Sequence, residues 1–182
     1  MKLLLDACVL YPTVMREVLL GAARKGLFEP LWSDRILEEW ARAAAKIDAA
    51  QEALARGEIA LARAAFPKSD VTPNESLQKR LWLPDPNDIH VLAAAIAGSA
   101  DAIVTLNAKD FPRNILQEEG LLRHDPDWIM CQLHATDPMT VTEVAQAVLT
   151  TANQMSGSEW TLRSLMKKAR LPRLGKALDQ QD

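Results

Sequence analysis

Cysteine, histidine and aromatic residues are all scarce in this 182-residue chain. The two cysteines, Cys8 and Cys131, stand far apart and form no CxxC pair, so neither a disulfide framework nor a zinc knuckle is expected. Both read as small buried hydrophobes. The three histidines, His90, His124 and His134, lack metal-ligand spacing, which disfavours a zinc enzyme. Aromatics at 5%, beside abundant alanine and leucine, favour a helix-rich chain over a sandwich or barrel. No apolar run approaches the ~20 residues that span a bilayer. The opening MKLLLDACVL is too short for a signal-peptide core and contains Asp6. A cytoplasmic protein without a membrane partner is therefore expected. A formal net charge of −3 excludes a generic nucleic-acid coat, but not an enzyme that grips nucleic acid locally.

What is present is the ordinary mix of a globular protein, 48% hydrophobic and 25% charged, at a length that fits one domain with a terminal appendage. Lys2–Leu5 is a short apolar run that reads as a buried strand ending at Asp6. Val14, Val18, Leu19 and Ala22 have helical spacing over 13–26, closed by Gly26. Residues 28–32 read as a strand, and Ser33 as the N-cap of a helix through Ile36, Leu37, Trp40 and Ala44. The alanine-rich stretch 48–66, with Gly57 at its middle, predicts two helical segments. Asp85-Pro86-Asn87-Asp88 opens a helix: Asp85 suits the N-cap, Pro86 the first position and Asp88 the first turn. Val91, Leu92, Ala95 and Ile96 form its buried stripe, Gly98 ends it, and residues 102–106 follow as a second buried strand. From Asp125 onward the pattern is helical, over 128–133, 141–152 and 162–169. Strands alternating with helices predict a parallel sheet covered on both faces.

In such a sheet, ligands bind beyond the carboxyl ends of the strands. Asp6 ends the first strand, and Asn107 and Asp110 follow the 102–106 strand. Asp88 opens the helix leading into that strand, and Glu39 lies on the helix after the 28–32 strand. Acids converging there, with no soft ligand among them, suit a hard cation such as Mg²⁺ or Mn²⁺. Phosphodiester hydrolysis is the chemistry that needs such a cluster. Taken singly, each acid has a plainer role. Asp88 suits a helix dipole, Glu39 neighbours Glu38 on a helix surface, and Asp110 precedes a helix start at Pro112. Asp6 is the exception, because an unpaired carboxylate in a buried strand end is costly.

The runs LLLDACVLYP, SDRILEEW and LPDPNDIHVLAAAIAGSADAIVTLNAKDFP, in this order and spacing over residues 1–120, resemble the motifs of PIN domains. The resemblance implies a three-layer α/β/α fold with a central parallel sheet plus C-terminal helices. The chain is expected to divide into a nuclease domain over 1–134 and a C-terminal helical extension over 135–182, either packed on that domain or appended to it. The resemblance also implies a Mg²⁺- or Mn²⁺-dependent endoribonuclease, commonly the VapC-type toxin of a toxin–antitoxin pair, with RNA as substrate, an antitoxin as partner and a homodimer as a common state. Asp6, Glu39, Asp88 and Asp110 become the catalytic acids, and with Asn107 the metal ligands. Thr105, Asn107 and His90 support the site, and Asp85 stands near it, better explained as a cap. Asn107 departs from the family, where an aspartate is common. A catalytically silent PIN fold that binds RNA or a regulatory partner is the alternative. A haloacid-dehalogenase reading fails because Cys8 stands where a second aspartate is needed, and Tyr11-Pro12-Thr13 replaces the glycine-rich turn of a dinucleotide site.

No acid occurs from Thr161 to Leu178, while Arg163, Lys167, Lys168, Arg170, Arg173 and Lys176 are basic. That run reads evenly as a solvated helix face and as a contact for RNA or an acidic partner. Trp40 and Trp128 read as core, and none of Trp32, Trp82 or Trp160 is assigned to RNA.

Overall fold

A computed structural model of the chain describes residues 1–179. In chain order it runs β1 (Lys2–Leu5), α1 (Ala7–Leu10), α2 (Thr13–Arg24), β2 (Glu29–Leu31), α3 (Asp34–Ala45), α4 (Ala49–Ala65) and α5 (Glu75–Arg80). A 3₁₀ turn (Pro86–Asp88) then leads into α6 (Ile89–Ala97), β3 (Ala102–Val104), α7 (Arg113–Glu118) and β4 (Leu122–His124). The remainder is helical: α8 (Pro126–Thr136), α9 (Pro138–Ser156), α10 (Leu162–Lys168) and α11 (Pro172–Asp179). The four strands form one all-parallel sheet in the order β2-β1-β3-β4, in an α/β/α arrangement. No helix among the described residues is long and apolar enough to cross a membrane.

The chain forms two compact units. The first, Met1–Tyr11 with Phe28–His124, holds the sheet. Leu3, Leu4, Leu5, Ile103 and Val104 are wholly buried, as strands of a two-sided parallel sheet must be. From β1 the chain passes to β2 on one side and to β3 on the other, so the strand order reverses between β1 and β3. Their register pairs Leu5 with Val104, which brings Asp6 level with Thr105 at the carboxyl end. Ser33 caps α3 by accepting from the Ile36 amide.

The second unit, Pro12–Leu27 with Asp125–Asp182, is helical wherever its folding is regular. Here α2 and α9 approach so closely that a Cβ on Gly21 would lie 2.6 Å from Val144 Cγ1. Buried Asp127 accepts from the Arg173 and Leu174 amides, closing the start of α11.

Several expectations need correction. Gly57 does not divide the 48–66 stretch, because α4 is continuous. Ala55, Ile59 and Ala62 bury one stripe of it, α4 packs against α3, and Arg56 and Arg63 bridge the two helices to Glu38 and Asp34. Burial and ion pairs outweigh the glycine's cost of ~1 kcal/mol. Gly98 follows α6 in ordinary right-handed geometry, and Ser99 takes the positive φ of 51° instead. The lack of a Cβ at Gly98 serves packing, since one would lie 2.8 Å from Leu31 Cδ1. The second buried strand stops at Val104 rather than Leu106. α1, α5 and α11 are too short to show a helical period, and the partly exposed edge strand β4 carries little apolar signal.

Candidate metal centre

Asp6 leaves β1 with its amide still bonded to the Val104 carbonyl, 3.1 Å away. Its side chain is 8% exposed and therefore needs partners. Thr105 Oγ1 donates to Asp6 Oδ2 at 2.6 Å, and Cys8 Sγ donates to the same oxygen at 3.1 Å. Thr105 Oγ1 in turn accepts from the Asn107 amide at 2.9 Å, and Cys8 Sγ from the Leu106 amide at 3.3 Å. The loops after β1 and β3 are thus cross-linked through one carboxylate oxygen. Cys8 is consequently not the apolar filler expected of it. It is half-buried and hydrogen-bonded, and burial followed by the Asp6 charge pushes its thiol up to about 12.

Asp85, Asp88 and Asp110 come together, each offering an oxygen within 4.8 Å of the others. The 3₁₀ turn supplies the first two. Asp85 caps it by accepting from the Asn87 amide at 2.9 Å, yet still joins the cluster. Burial, and then the charges of Asp6, Asp85 and Asp110, push the Asp88 carboxyl up to about 6, with His90 opposing. A carboxylate held among three others without matching cations is a site of concentrated negative potential. Asn107 Nδ2 donates to Asp88 Oδ2 at 3.0 Å.

Glu39 stands outside the group of three. His90, 3% exposed, places Nε2 2.8 Å from Glu39 Oε1, but its ring N–H is not aligned for a hydrogen bond, so the contact is an ion pair only when the imidazole is protonated. Arg35 Nε lies 3.4 Å from the same oxygen and Arg35 Nη2 donates to the Asn87 carbonyl at 3.2 Å. Burial would raise the Glu39 carboxyl, but His90 and Arg35 together hold it below its ordinary range.

Of the sequence-named acids, then, Asp88 and Asp110 meet directly, and Asp6 lies close enough for its charge to act on Asp88. Asp85 joins them, and its capping pattern had explained it away. Oxygen donors only, clustered and mutually repelling, fit a hard divalent cation.

A family model described as PIN domain matches residues 2–109, more than half of the chain. The chain belongs to the PIN-domain family. PIN domains are generally metal-dependent nucleases, and a cluster of three acids is present here. No curated protein and no solved structure matches the chain.

The basic run lies in the second unit, where folding brings distant acids to it. Arg163 pairs with Asp179 at 2.8 Å, and Arg173 with Asp125 and Asp127 at 3.0 and 3.2 Å. Lys168 sits 4.5 Å from the Trp160 ring centroid, a cation–π contact that leaves its charge in place. Lys167 and Arg170 are exposed. Trp32 and Trp40 are buried, whereas Trp82 is 65% exposed.

Proposed function

We propose that this PIN domain hydrolyses RNA phosphodiester bonds with the help of Mg²⁺ or Mn²⁺. The observation that carries the reading is the convergence of Asp85, Asp88 and Asp110, with the Asp88 carboxyl raised by burial and by its neighbours' charges. In this reading Asp88 and Asp110 hold the cation, with Asp85 as the third donor and Asp6 and Glu39 beside them. When bound, the cation activates a water and takes up charge on the phosphate. Thr105 and Cys8 fix one oxygen of Asp6, which leaves the other directed by a rigid frame. His90 and Arg35 keep Glu39 ionised, and Asn107 steadies Asp88. Residues 1–134 would carry the nuclease and 135–182 a helical extension, in a cytoplasmic toxin neutralised by an antitoxin protein and able to form a homodimer. Lys167, Lys168 and Arg170 would meet RNA or that partner, whereas the ion pairs of Arg163 and Arg173 favour a structural role for those two.

Purified protein incubated with a mixed structured RNA pool and Mn²⁺ or Mg²⁺ is expected to cleave it, with EDTA and Asp88→Asn each lowering the rate at least about 100-fold. Matched DNA in the same assay separates an RNase from a general nuclease. A second reading, a silent module that binds RNA or a regulatory partner, draws on the Asn107 amide occupying an oxygen of Asp88. Intact RNA in every lane, with the protein folded, would favour it.

A further inference from the structure

The nuclease reading leaves open how a chain with net charge −3 holds a polyanion beside several carboxylates. In the first unit a groove of about 300 Å³ adjoins them, lined by Arg35, Glu75, Gln78, Lys79, Pro86, Ile89 and His90. Pro86 lies between Asp85 and Asp88 in the chain, so the groove opens directly off the turn that carries the acids. It combines the cations Arg35 and Lys79 and one exposed acid, Glu75, with apolar Pro86 and Ile89, at the small end of ligand-pocket sizes. The Arg35 guanidinium is anchored through two of its N–H groups, to Asn87 and Glu39, and three of its five remain. Lys79 has only a loose pair, 3.7 Å from Glu75, with both side chains largely exposed. Such a pair contributes little and yields readily to a phosphate. Trp82 is exposed on the short stretch between Lys79 and Asp85, an unusual place to leave an indole in water. An exposed aromatic near a cationic groove is the recurrent platform for an unpaired base.

We infer that this groove receives the sugar–phosphate of the nucleotide next to the scissile bond in a single-stranded RNA. Arg35 and Lys79 contact the phosphate, and Trp82 stacks on a neighbouring base. The inference rests on the nuclease reading, and its test is separable from it. Full-length Asp88→Asn protein, which retains the groove, is titrated without metal into a short fluorescein-labelled oligoribonucleotide of mixed sequence. Anisotropy is followed from low to physiological salt. Adding Lys79→Gln should lower the slope of log affinity against log salt by about 0.7, the loss of one single-strand phosphate contact. Adding Trp82→Ala should weaken binding at least about fivefold with the slope unchanged. Lys68→Gln, outside the groove, serves as the control.

Lys79 and Trp82 variants that bind like the control would overturn the inference. So would a parent protein that fails to bind the oligoribonucleotide, or one that binds its duplex more tightly. Cleavage of RNA by the wild-type protein with Mn²⁺ reports separately on the nuclease reading, and can succeed while the groove fails.

Discussion

Asp88 is the residue on which stability and metal binding oppose each other. Its carboxyl rises from the ordinary 3.8 to about 6 because burial and three other acids disfavour the charge. The folded state therefore holds a proton that the unfolded chain has released between those two values, and stability from this group falls as pH rises from about 4 to about 6. The site is partly open to solvent, so the cost at neutral pH is on the order of 1–2 kcal/mol after screening. Metal-free Asp88→Asn protein should accordingly melt higher than the wild type at pH 7.5, and the two should converge near pH 4. Added Mn²⁺ should raise the melting temperature of the wild type and leave that of the variant nearly unmoved. A wild type that melts higher than the variant without metal would contradict this assignment of the charge cluster. Asp6, Asp88 and Asp110 were legible as candidates because strand ends and first helical turns can be read from local pattern. Asp85 was legible as a neighbour of Asp88 but ranked first as a cap, since nothing local shows that one carboxylate both caps a turn and joins a cluster. Thr105 and His90 were legible as site-supporting only through the family resemblance, and no local pattern shows which acid each one meets: His90 lies 51 positions from Glu39, and Thr105 lies 99 positions from Asp6.

At the scale of elements, two glycines with similar sequence settings have opposite roles. Gly57 lies in the middle of α4, where an added Cβ would meet nothing within 4 Å. Gly57→Ala should stabilise the fold by about 0.5–1 kcal/mol through helix propensity alone. Gly98 ends α6 against the sheet, where a Cβ would lie 2.8 Å from Leu31 Cδ1 and 3.0 Å from Val71 Cγ2. Gly98→Ala should cost about 1–3 kcal/mol through overpacking. Denaturant melts of both variants check the pair, and equal shifts would contradict the packing argument. The elements read from sequence include the strongly periodic or doubly buried ones, β1, α2, α3, α6 and the helices α8 to α10. Those missed were too short to show a period, such as α1 and α5, or too exposed to look like strands, such as β4. Whether Gly57 breaks a helix is decided by what α4 packs against, and no local signal carries that.

For the whole molecule the question is where a weakly acidic chain keeps the cations that nucleic acid needs. The run from Thr161 to Leu178 looks uniformly available in sequence, but the fold divides it. Arg173 is held by Asp125 and by Asp127, itself only 4% exposed, so its charge serves the packing of α11 against α8. Lys167, Lys168 and Arg170 keep their charges free of acidic partners among the described residues. Arg170 adopts φ 62°, a backbone that asparagine tolerates, so Lys167→Gln, Lys168→Gln and Arg170→Asn together should leave the unit folded. If these three contact RNA phosphates, the triple variant should bind a mixed-sequence oligoribonucleotide with a log–log salt slope lower by up to about 2. Arg173→Gln should instead leave that slope alone and lower the melting temperature, because Asp127 loses a charged donor while remaining buried. Anisotropy titrations across salt, run beside thermal melts, read both. A triple variant that binds RNA like the wild type would return this face to solvent or to a protein partner. The weight of holding substrate would then fall on Arg35, Lys79 and Trp82 beside the acids.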